Sequence, residues 1–181
     1  GAVLATGDWG ALWTVHATWK VMREQSPPRA TIDRIRLTAA ANEYEPVQVV
    51  LHPQRDLHNL TLTASDLTSD TGERLPAQEI EPLLVDYVPV TIATDALGFE
   101  GDWPDPLPPL DLIGALTAPA ERNTPFWLRL HVPPRTKAGR YTGTVTVAAD
   151  EMPAVSIPLD LTVFNFELPR ITRTQTAYGM G

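Results

Sequence analysis

The residues with the best spacing for acid–base chemistry are the adjacent carboxylates Asp150 and Glu151. Such catalysis needs a pocket that shifts a carboxyl pKa. This pair instead lies between two alternating apolar runs and just ahead of Pro153, the setting of a hairpin turn. His16, His52, His58 and His131 show neither HxH nor HxxxH metal spacing. Three of them, His16, His52 and His131, fall opposite the apolar face of their strands, so they read as surface or second-face residues. Asp95, Asp102, Asp105 and Asp111 offer the oxygen ligands calcium takes, but without an EF-hand pattern. Beside so many Pro and Gly residues they read as turn formers. No serine has a nucleophile-elbow context, and there is no glycine-rich phosphate loop. The chain has no cysteine, which removes thiolate chemistry and disulfides together. No catalytic, cofactor-binding or metal-binding residue is assigned.

The tryptophans are the other chemically notable residues. Trp13 and Trp19 alternate with Val15 and Val21 and are expected in the core, so that Trp19→Ala would cost about 3–5 kcal/mol. Trp127 points away from Phe126 and Leu128, toward a second sheet face or an interface. Trp103 stands in a Pro-rich loop, where it could stack on a sugar ring or plug a crevice in another domain. With Asp102, Asp105, Leu107 and Trp127 it makes up the set of candidate interdomain or sugar-contact residues. Asn59-Leu60-Thr61 is a formal glycosylation sequon.

These residues are positioned by strands. Lys137-Ala138-Gly139-Arg140-Tyr141-Thr142-Gly143-Thr144-Val145-Thr146-Val147 is a turn feeding a run in which Tyr141, Gly143, Val145 and Val147 share one face and Thr142, Thr144 and Thr146 the other. Period-two alternation of this kind marks a strand with one dry face. It recurs over 12–21, 31–37 (more polar, an edge), 43–51, 59–65, 79–92, 125–132 and 155–166. The phase of 79–92 slips near Tyr87-Val88, which predicts a bulge or a bend between sheets. Helical periodicity is nearly absent, apart from one short turn within Leu110 to Leu116. The fold expected is all-β: a two-sheet antiparallel β-sandwich, jelly-roll or Ig-like, of roughly eight strands. Thr94 to Thr124 interrupts it. A loop this long is usually functional or disordered, and its Phe99, Trp103, Leu107, Leu110, Leu112 and Ile113 argue for packing against something.

Composition sets outer bounds. At 181 residues the chain can bury a core without metal or disulfide help. Its net charge of -8 repels phosphate backbones, so nucleic acid is excluded as a partner. No apolar stretch approaches the ~20 residues that span a bilayer. The 18 prolines imply many rigid turns. Gly1 reads as a cut or processed end.

Five segments, in order, resemble the N-terminal domain that precedes the barrel in glycoside hydrolase family 123 and its uncharacterised relatives. They are Glu43-Tyr44-Glu45-Pro46-Val47-Gln48; Ser65-Asp66-Leu67; Gly101-Asp102-Trp103-Pro104-Asp105-Pro106-Leu107; Val132-Pro133 with Ala138-Gly139-Arg140-Tyr141-Thr142-Gly143; and Phe164-Asn165-Phe166-Glu167-Leu168-Pro169. The Trp-Pro-Asp-Pro-Leu run is the most specific. The resemblance implies a sandwich packed on a downstream (β/α)8 barrel that hydrolyses glycosides of N-acetylgalactosamine, using an adjacent Asp-Glu pair in the barrel and the substrate's own acetamido group. No position here matches that pair. A two-carboxylate glycosidase site would hold its carboxyls roughly 5–10 Å apart across a cleft, and nothing in the sequence marks one. The expectation is therefore a β-sandwich accessory domain over 1–169 and a linker over 170–181 into the barrel domain, with no cofactor. The expected partner is the C-terminal (β/α)8 domain of the same protein, and a glycan is a candidate second partner. The alternatives are a stand-alone carbohydrate-binding module and a cell-surface adhesion or assembly module.

Overall fold

The computed structural model describes residues 1–93 and 98–171. Thirteen strands are present among them: β1 (Ala2–Gly7), β2 (Gly10–His16), β3 (Ile35–Ala41), β4 (Glu43–Pro53), β5 (Thr61–Ala64), β6 (Leu67–Ser69), β7 (Arg74–Leu75), β8 (Ile80–Leu84), β9 (Tyr87–Val90), β10 (Gly101–Pro104), β11 (Thr124–Val132), β12 (Gly139–Ala149) and β13 (Met152–Glu167). One sheet has the order β1-β2-β4-β11-β8; the other runs β3-β13-β12-β6-β7, with β5 also paired to β12. β9 and β10 form a separate two-stranded ribbon. All-β architecture in two packed layers is what the alternation predicts, but the count of eight strands is too low. Each expected strand has its counterpart; the additions are short (β6, β7), terminal (β1), split off at the expected phase slip (β9), or inside the Pro-rich loop (β10). One pairing also departs from an antiparallel sandwich: β3 lies parallel to β13 at the sheet edge.

The core is the inward half of each alternating strand. Val47, Val49 and Leu51 meet Phe126, Leu128 and Leu130 from one sheet, and Tyr141, Val145, Ile157, Leu159 and Leu161 close on them from the other. Burial of this apolar surface, at about 25 cal/mol per Å², drives assembly. The buried Tyr141 hydroxyl donates to the carbonyl of Lys137, so its polar end is satisfied (2.9 Å). Gly143, on the same strand, has a packing reason. A Cβ there would come within 2.6 Å of the Asp66 carbonyl oxygen, where the chain crosses from β5 to β6.

A second, smaller core lies on the outer face of the five-stranded sheet. Trp13, Val15, Val21 and Val50 form it. The alternation of Trp13, Val15 and Val21 is therefore real, but these residues pack beneath a covering segment and not between the sheets. The strand expected to continue to Val21 ends at His16, where Ala17–Thr18 turns the chain. That turn throws Trp19 outward, leaving it 57% exposed. The expectation of a core Trp19 is overturned: a turn breaks the period-two phase, and periodicity alone does not reveal where a strand stops.

Candidate interdomain and ligand surface

The covering segment is held down by two buried amides that the sequence reading missed. Gln48 is 2% exposed, and its Nε2 donates to the carbonyls of Ala17 (3.0 Å) and Trp19 (2.7 Å). Asn123 is 1% exposed; its Nδ2 donates to the carbonyls of Met22 (2.8 Å) and Gln25 (2.7 Å), and its Oδ1 meets His52 Nδ1 at 3.0 Å. Gln48 sits at an outward position that alternation assigns to solvent, and Asn123 at the end of the Pro-rich loop, just ahead of β11. An amide side chain in place of a charged one was the only signal available.

The Pro-rich loop packs on its own sandwich, as its apolar content predicts. Pro108 and Pro106 carbonyls accept from the amides of Leu84 and Asp86, and Leu110 and Leu116 lie against the core. A 3-10 turn spans Leu110–Leu112. Asp102 ion-pairs with Arg23 at 2.7 Å, tying the ribbon to the covering segment. Lys20 donates to the Pro104 carbonyl (2.9 Å) and lies 3.8 Å from Asp105. Trp103 faces away from these contacts; its indole N–H donates to the Phe99 carbonyl (2.7 Å) and its ring leans on Phe99, with centroids 4.4 Å apart. Beside it Val88, Ile92 and Phe99 are exposed. Of the five candidate residues, Asp105, Leu107 and Trp127 come together in one cleft of about 300 Å³, joined by Trp19, Lys20 and Gln48. Asp102 and Trp103 lie outside it. Asp95 and the 172–181 lead-in fall outside the described residues.

The remaining half of that sheet's outer face is open. Tyr44, 60% exposed, stacks on His131 with centroids 4.3 Å apart, and the Arg129 guanidinium lies over the Tyr44 ring. Arg129 pairs with Glu81, and His131 Nδ1 meets Glu79 at 2.6 Å. A crevice of about 380 Å³ adjoins this face, where burial, and then Glu43, push the Glu45 carboxyl above its ordinary range. The chain leaves the sandwich at the same end. The Leu168 amide donates to the Ala41 carbonyl and Asn42 Nδ2 donates to the Leu168 carbonyl, both at 2.9 Å. Phe164 and Phe166, 44% and 57% exposed and stacked on one another, lie on the outer face of the other sheet just before that exit.

Asp150 and Glu151 form the turn between β12 and β13, as expected. Glu151 accepts from the His58 amide (2.7 Å) and meets His58 Nδ1 at 2.6 Å, while Asp150 accepts from Asn59 (2.7 Å). The carboxylates thus latch a turn to the loop before β5. Among the described residues there is no group of three or more acidic or histidine side chains able to hold a metal ion. No helix among them is long and apolar enough to cross a membrane.

The family model described as the glycoside hydrolase 123 N-terminal domain matches residues 16–149. The chain belongs to that family. Among solved structures it is similar to a family 123 glycoside hydrolase from Clostridium perfringens, at a TM-score of 0.75 and 16% identity, over 87% of this chain and 28% of that one. It thus spans less than a third of that enzyme's length. A looser likeness (TM-score 0.35, 15% identity, 74% of this chain and 93% of that one) is to MyfA, the major subunit of Myf fimbriae from Yersinia enterocolitica, solved in complex with galactose. No curated protein matches.

The family explains which residues carried the resemblance. Tyr44 and Gln48 sit on the outer face, Asp66 accepts from Arg74 and from the Ala77 amide to fix the β6–β7 turn, and the Gly101–Leu107 run builds the ribbon and cleft. Gly139 takes a φ of 149°, open to glycine and not to other residues.

Proposed function

We propose that this glycoside hydrolase 123 N-terminal domain is a non-catalytic support for a C-terminal (β/α)8 domain that carries out the hydrolysis, with glycosides of N-acetylgalactosamine as the substrate class. The observation that carries this is the exposure of aromatics at the end where the chain exits at Leu168: Phe164 and Phe166 on one outer face of the sandwich and Tyr44 on the other. Exposed aromatics concentrated at one end mark a surface that another body covers. A domain tethered at Leu168 meets that end first, and contacts of this type bury roughly 600–1,500 Å². The ribbon carrying Phe99, Trp103 and Val88 is a second apolar surface, at the Thr124 end of β11, and serves as the runner-up contact.

The adjacent carboxylates Asp150 and Glu151 are occupied in a turn and its latch, which supports the non-catalytic assignment. The test is hydrolysis of an aryl glycoside of N-acetylgalactosamine by the 181-residue chain and by a longer gene product that includes the domain after it. Turnover is expected only from the longer protein. Turnover by the short chain would end the proposal.

A further inference from the structure

The cleft of Trp19, Lys20, Gln48, Asp105, Leu107 and Trp127 lies apart from the exit-side aromatics, and nothing in the support role uses it. The geometry points to a binding subsite for a neutral pyranose. The Trp19 backbone is pinned by a buried amide, since Gln48 donates to its carbonyl, while the residue stays 57% exposed. An indole left in water at the cost of a buried polar anchor is an expensive arrangement unless the ring is used. Trp127 supplies a second indole wall. Among the described residues neither indole N–H has an acceptor.

The polar groups match as well. Gln48 commits its Nε2 to backbone carbonyls, which assigns its amide orientation, and its Oε1 accepts no bond from the described residues. Gln48 is a cleft-lining residue, and its Oε1, which is not among the buried atoms left without a partner, is reachable by a ligand's donor. Asp105 adds an exposed carboxylate and Lys20 an ammonium 3.8 Å from it. The cleft therefore offers apolar walls with donors and acceptors at the rim and floor and no net local charge. A pyranose presents the complement: one C–H face for an indole and a ring of hydroxyls that both donate and accept. The volume, about 300 Å³, is at the small end of ligand pockets, which suits one or two sugar rings. The chain's charge of -8 disfavours uronic and other acidic sugars. The inference requires only that a C-terminal domain leave this cleft open; it does not require docking at the exit end.

The test is an NMR titration of the 181-residue chain, following the five tryptophan indole N–H signals. The probes are the methyl glycosides of N-acetylgalactosamine, galactose and glucose, with methyl glucuronide as the acidic control. The Trp19 and Trp127 signals are expected to shift saturably with at least one neutral sugar, while the buried Trp9 and Trp13 signals stay in place. Trp127→Ala is expected to weaken binding about tenfold, the loss of one good contact. Because Trp127→Ala could loosen the segment over it, Asp105→Asn, an isosteric change at an exposed position, is the second variant and is expected to weaken binding with every other signal unchanged. Absence of a saturable shift with all three neutral sugars would overturn the proposal. So would shifts confined to Trp103, equal binding of the glucuronide, or undiminished affinity in both variants. If the two indoles are protected from sugar in a longer protein containing the C-terminal domain, the cleft is an interface, and the proposal is likewise overturned.

Discussion

At the residue scale the clearest consequence is the pH behaviour of the His58–Glu151 latch. The hydrogen bond and charge of Glu151 raise the His58 pKa above its ordinary 6.5, and the bonds from His58 lower the Glu151 pKa below its ordinary 4.5. The His58 contribution is fully present below about 6.5 and is lost as pH rises through the raised value. The Glu151 contribution is present above about 4.5 and is lost as pH falls through the lowered value. Both operate together between those limits, so the turn is held best in mildly acidic solution. An NMR titration should place His58 above 6.5, and Glu151→Gln should return it toward 6.5; an unchanged His58 pKa in that variant would show that the pair is not coupled. Both groups are largely solvated, so the effect on global stability is small. The turn itself was legible from Asp, Glu and Pro in sequence. The latch was not, because His58 and Glu151 are 93 residues apart and nothing local links them.

The tryptophans separate two positions that look alike in the sequence. Trp13→Ala is expected to cost about 3–5 kcal/mol, as for other large buried aromatics, because Trp13 is 1% exposed. Trp19→Ala should stay within about 0.5 kcal/mol, the range of ordinary surface changes. Denaturant unfolding of the two variants checks this, and equal losses would contradict the outward placement of Trp19. Trp13 also buries an indole N–H with no partner, so Trp13→Phe should cost less than the lost volume alone implies.

At the element scale, the covering segment depends on Gln48 and Asn123 as much as on apolar contact. Asn123→Ala strips the Gln25 carbonyl of its donor and leaves the Met22 carbonyl with the Gln25 amide alone, at 3.2 Å. The expected cost is about 1–3 kcal/mol, that of one part-buried carbonyl left unpaired. Hydrogen exchange should quicken over 17–25 before it does in β4 or β11; uniform loss of protection would show that the segment is not a separate unit. Gly143→Ala tests the crossing of β5 into β6, since a methyl there overlaps the Asp66 carbonyl. It should destabilise the fold by about 1–3 kcal/mol, the usual cost of overpacking. The inward faces of β4, β11, β12 and β13 were readable from alternation because each is long and has one dry side. The strands that were missed are short or depend on a distant partner, and the parallel pairing of β3 is set by an arrangement of sheets that no local pattern records. The bend before β9 was readable because a phase slip in an apolar run has few other causes. The cleft was only half readable: Asp105, Leu107 and Trp127 were singled out as contact candidates, whereas Trp19 was assigned to the core and Lys20 and Gln48 were given no contact role.

At the scale of the whole molecule, the sandwich separates its surfaces. The exit end presents Tyr44, Phe164 and Phe166, the side cleft presents Trp19 and Trp127, and the β12–β13 turn is closed by ion pairs. Such partition suits a domain that holds a neighbour at one end and leaves a lateral site open to solvent. The most direct test of the support role is hydroxyl-radical footprinting of the 181-residue chain beside a longer protein that contains the C-terminal domain. Tyr44, Phe164 and Phe166 should be modified readily in the short chain and protected in the longer one, while Phe99 is modified equally in both. Equal modification of the three exit-side aromatics in the two proteins would contradict the account.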